Sequence, residues 1–149
     1  MIDISGLTKH FGGSPVLNNI DLQIADGERV VVIGPSGTGK STLLRCLNFL
    51  DVPQVGQITI GDVSVDAAKA SKADVLALRR RTAMVFQNYA LFANKTAKQN
   101  IMEALLTVQK RSKAEAEERA LAVLAETGLA DKADSYPAAL SGGQQQRVG

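Results

Sequence analysis

Two stretches of this chain carry residue types whose spacing suits chemistry on phosphate. Gly34-Pro35-Ser36-Gly37-Thr38-Gly39-Lys40-Ser41 fits the pattern G-x-x-x-x-G-K-[ST], and Thr42 follows it. Glycines let a backbone curl until several N–H groups point into one concavity, and the positive end of a following helix faces the same point. Lys40 is placed to reach the outer phosphates of a nucleotide, and the Ser41 hydroxyl to bind Mg²⁺. This loop alone does not separate an ATPase from a small kinase or a GTPase. The second stretch, Leu140-Ser141-Gly142-Gly143-Gln144-Gln145-Gln146-Arg147, is another candidate helix start. Ser141 suits an N-cap, and the paired glycines let an anion approach the backbone.

These residues need elements to position them. Arg29-Val30-Val31-Val32-Ile33 is a run of mostly β-branched residues, typical of a strand buried on both faces, and it leads into the first glycine loop. Lys40 to Leu50 reads as a helix with Thr42, Leu43, Leu47 and Leu50 on its buried side. Strand, loop, helix is the context such a loop requires. Upstream, Ile2 to Leu7 and Val16 to Ile24 read as strands; downstream, so do Gln57 to Ile60 and Val63 to Val65, turning at Gly61-Asp62. Ala73 to Arg81 looks helical and Thr82 to Phe86 looks like another buried strand. A helix-rich segment begins near Ala97; Ser112 with Glu115 forms a capping-box pattern, and Gly128 marks a stop after Thr127. Lys113, Glu115, Glu117, Glu118 and Arg119 suit a solvated face.

Composition narrows the chemistry. The 149 residues are 45% apolar and 21% charged with a net charge of +2, which suits one globular domain and argues against a nucleic-acid partner. Charges and glycines interrupt every apolar stretch, and the N-terminus lacks the regions of a signal peptide, so a cytoplasmic location is expected. One cysteine, Cys46, and one histidine, His10, exclude an internal disulfide and make a multi-ligand Cys or His metal site improbable.

The stretch from Leu140 through Arg147 resembles the LSGGQ signature of ABC transporter ATPases, and with the first loop it identifies the family. Leu43 to Asn48, Met84 to Asn88 and Ser141 to Arg147 resemble the subgroup that serves bacterial importers of polar amino acids. The resemblance implies an α/β ATPase of the P-loop NTPase class. It would have an N-terminal antiparallel β part, a partial parallel core sheet and a helical subdomain. As one partial domain over 1–149, it would divide into a β subdomain and nucleotide-binding core (1–87), a helical subdomain (88–140) and the start of the signature helix (141–149).

The same resemblance assigns roles. ATP and Mg²⁺ would be bound by Gly34 to Thr42, with Phe11 stacking on adenine and Val16 beside it; ordinary core packing is the alternative for Phe11. Lys40 and Gln87 would act in catalysis, with Ser41 and Gln87 at the metal. Leu140, Ser141, Gly142, Gly143 and Gln144 would close over ATP held by a second subunit in a head-to-tail dimer. Tyr89, Leu91 and Phe92 would either receive a membrane permease or form a local core. Permease subunits, and indirectly an external amino-acid-binding protein, would be partners of an ATPase on the cytoplasmic face of the membrane. The strands that carry the Walker B carboxylates and the switch His have no counterpart here: His10 lies at the wrong end of the fold, and Glu126 and Asp131 follow no β-branched run. A truncated chain that binds ATP and hydrolyses it poorly is therefore expected. The competing readings are a non-transport ABC ATPase of translation or DNA repair, and a non-catalytic regulatory fragment. The absence of a long insertion between Gln87 and Leu140 favours transport.

Overall fold

The computed structural model describes residues 1–149, which divide into two compact units, Met1–Ala83 and Met84–Gly149. In the first unit, β1 (Ile2–Phe11), β2 (Ser14–Ile24), β3 (Val55–Ile60) and β4 (Val63–Asp66) form one antiparallel sheet in the order β2-β1-β3-β4. Phe11 pairs with Ser14 across a turn of Gly12 and Gly13, and Gly61-Asp62 turns β3 into β4. At Gly56, with φ 118°, an added Cβ would lie 2.6 Å from the Leu7 Cα, so only glycine lets β3 approach β1 this closely.

One face of the sheet buries Ile4, Leu7, Leu17, Ile58 and Val65 against Leu43, Cys46 and Phe49 and against Leu78. Each large side chain buried this way contributes roughly 1.5–3 kcal/mol. These partners come from α1 (Lys40–Leu47), the turn after it, and α2 (Lys72–Arg79). Ser71 and Asp74 cap α2 reciprocally. Burial pushes the Cys46 thiol up to about 11, with the nearby Asp51 carboxylate adding to the shift.

Helix α1 ends three residues before the expected Leu50. Phe49 turns left-handed, φ 54°, and its N–H and that of Leu50 bond back to the carbonyls of Cys46 and Arg45. This is a Schellman stop with phenylalanine where glycine is usual. The strain, about 1 kcal/mol, is offset by burying the Phe49 ring, while Leu50 is left exposed. Arg79 donates to the carbonyls of Asn48 and Phe49 at 2.9 and 3.0 Å.

The expected strands at Arg29–Ile33 and Thr82–Phe86 do not form, and the sheet contains no parallel pair. A buried parallel strand is held by ladders on its neighbours, and neither segment has one here. Their apolar side chains are correspondingly open, with Val31 78%, Ile33 87% and Val85 71% exposed.

In the second unit, α3 (Ala97–Thr107), α4 (Lys113–Glu126) and α5 (Gly142–Val148) pack through Ala97, Leu124, Leu129, Ala133, Leu140 and Val148. Ser112 and Glu115 cap α4 as their spacing indicates, and Thr96 with Gln99 caps α3 in the same way. Most of the charged face of α4 is solvated, but Glu117 is half-buried and bonds Lys98 at 2.8 Å.

Candidate functional site

Around the first glycine loop, the first unit gathers Phe11, Val16, Ser36, Gly37 and Gly39 to Thr42 on one open cleft of about 420 Å³. Gly37 and Gly39 adopt φ 84° and 89°, conformations that side chains resist. Gly39 is also the first residue before α1, and no side chain caps that helix. The opening amides of a helix have no acceptor within it; here the first intrahelical bond is Leu43 N–H to Gly39 C=O. No acidic residue stands in the first turn to compete for them. Lys40 donates to the Gly34 and Pro35 carbonyls at 2.8 and 2.6 Å, and the Thr38 hydroxyl to Pro35 at 2.9 Å. The loop thus holds its own ammonium beside open amides, a donor set fitted to a multiply charged phosphate chain. Ser41 is exposed at the same helix start.

Strand β2 fixes where this loop sits. An added Cβ on Gly39 would lie 2.9 Å from the Val16 carbonyl oxygen and 3.1 Å from Leu17 Cδ2. Leu43 and Cys46 anchor the buried side of α1 in the core. Phe11, at the end of β1, is 53% exposed and does not serve as core. Sequence reasoning overlooked Lys9, whose Nζ lies 4.8 Å from the centre of the Phe11 ring.

The remaining site residues belong to the second unit. Gln87 lies in an exposed turn. Leu140 is buried in the local core, whereas Ser141, Gly142 and Gly143 are exposed. The Ser141 hydroxyl accepts from Gln144 N–H at 3.3 Å, and the Gln144 side chain accepts from Ser141 N–H at 2.9 Å. A Cβ on Gly142 would meet the Tyr89 hydroxyl at 3.1 Å. Leu91 packs on the core beside it, while Phe92 stays 51% exposed with Lys95 over its ring.

The ABC transporter family profile matches residues 17–149. A probable amino-acid ABC transporter ATP-binding protein of Haemophilus influenzae is 51% identical over all of this chain and 59% of its own length. An L-cystine import ATP-binding protein of Bacillus subtilis is 50% identical, over all of this chain and 61% of its own length. The glutamine transport ATP-binding protein of Escherichia coli is 51% identical over 99% of this chain and 60% of its own. The chain therefore spans about 60% of the length of these relatives. Among solved structures, a dimeric ATP-binding cassette in a post-hydrolysis state bound to ADP and phosphate superposes with a TM-score of 0.82 at 34% identity, over 99% of this chain and 66% of its own.

Proposed function

The chain belongs to the ABC transporter family, and on that premise we propose that residues 1–149 form the nucleotide-capturing part of an ATPase that powers amino-acid import. The observation that carries this reading is the cleft where Phe11, Lys40 and the open amides of α1 stand together. Phe11 takes the purine, the loop from Gly34 to Gly39 takes the phosphates, Lys40 takes the outer charge, and Ser41 supplies an oxygen for Mg²⁺. The metal's contribution is to neutralise charge that develops on the phosphates. Support comes from the solved relative that holds ADP and phosphate. The contact of Gln87 with Mg²⁺ and water rests on its place in the chain order.

Import of amino acids is supported by relatives whose names specify L-cystine and glutamine transport. In this reading the ATPase works on the cytoplasmic face of a membrane, beside permease subunits fed by an external binding protein. No helix is long and apolar enough to cross a membrane. A second ATPase subunit docks head to tail, and Ser141 to Gly143 close over its nucleotide; a dimeric solved relative supports this arrangement. Glu126 ends α4 and Asp131 pairs with Lys132, so neither acts as the base. In this reading residues 1–149 capture ATP.

Titration of the chain with MgATP tests this. Lys40→Ala is expected to weaken binding by about tenfold or more, the loss of a charge-assisted contact. Equal affinity for the two chains would refute the assignment.

A further inference from the structure

Lys9 is an unusual lysine, because it is only 9% exposed. Buried ammonium groups ordinarily pair with carboxylates. Here Nζ donates at 2.7 Å to the Val52 carbonyl and sits over the Phe11 ring, 4.8 Å from its centre. Phe11 lines the nucleotide cleft and Lys9 does not.

We propose that Lys9 is a positioning residue for purine stacking, an inference that rests on the ATP reading of the cleft. The ring stands at a hairpin corner, beside Gly12 and Gly13, with more than half its surface open. An unsupported ring there would lose rotational freedom on binding a base. Lys9, tethered through Val52, holds it in advance by the cation–π attraction.

The test compares MgATP with magnesium tripolyphosphate, which has the phosphates and no base. Lys9→Gln keeps a donor for Val52 and removes the charge. It is expected to weaken MgATP about threefold and to leave tripolyphosphate unchanged, and Lys9→Arg should restore MgATP. Equal loss for both ligands would mean a purely structural lysine, and no loss for either would mean an idle one; both results overturn the proposal. Failure of the underlying reading looks different: the unsubstituted chain would bind the two ligands equally, or Lys40→Ala would bind MgATP as well as it does.

Discussion

Two glycine-rich helix starts face solvent in this chain, and they solve the same problem in opposite ways. Helix α1 begins at left-handed Gly39 with no side-chain cap, so its opening amides stay available beside Lys40. Helix α5 begins at Ser141 with a side-chain cap: serine and Gln144 cap one another, and the Gln145 side-chain amide donates to the Leu140 carbonyl at 3.0 Å. The glycines differ in purpose as well. Gly39 is required by its φ and by the Val16 backbone behind it, whereas Gly142 makes room for a tyrosine hydroxyl. One start keeps a lysine and uncapped amides together within its own unit. The other is a self-supported surface without a nearby lysine of its own motif, which suits a ligand whose remaining contacts arrive with a partner.

Substitutions can break this contrast. The largest expected effect is at Gly39→Ala, where a Cβ would lie 2.9 Å from the Val16 oxygen in a left-handed backbone. Backbone strain and overpacking together should cost about 2–4 kcal/mol, read from denaturant unfolding of the first unit, with MgATP binding lost alongside. Wild-type stability would show that β2 does not fix the loop. A smaller effect is expected at Ser141→Ala, about 1 kcal/mol for a lost N-cap, confined to the second unit. The affinity of the isolated chain for MgATP should not change; if it falls, α5 serves the nucleotide of its own chain.

The motifs were legible because each is a local contract between neighbouring residues. Ser112 with Glu115, Ser141 at α5 and the loop from Gly34 to Ser41 all act within a single turn. The capping boxes of Ser71 with Asp74 and Thr96 with Gln99 carry the same local signal and were overlooked. Other features depend on distant partners. The Val30–Ile33 run has the residues of a strand, but a strand exists only through its ladders. Apolar periodicity extended α1 to Leu50, while burial of the Phe49 ring stopped it earlier. Lys9 reads as one more surface lysine until the fold brings Val52 beside it.

The smallest expected effect extends the comparison of helix starts from glycine to charge. Four helices carry reciprocal caps, but α2 and α4 use carboxylates, Asp74 and Glu115, whereas α3 and α5 use amides, Gln99 and Gln144. Hydrogen bonds from Ser71 and Ser112 hold the two carboxyls below their ordinary values of 3.8 and 4.5. A folded value below the unfolded one means that the stabilisation is present at neutral pH and is lost as pH falls through the folded value. Between about pH 6 and pH 3, protection of the Ser71 and Ser112 amides, which donate to these carboxylates, should fall relative to that of the Thr96 and Ser141 amides, which donate to Gln99 and Gln144, in exchange measurements corrected for intrinsic rates. Glu115 is solvent-exposed, so the change is small and local. Glu115→Gln supplies the control, because it turns the α4 cap into the amide form of α3 and α5. Its first turn should become indifferent to acid; acid sensitivity that persists in this variant would place the titrating group elsewhere on α4.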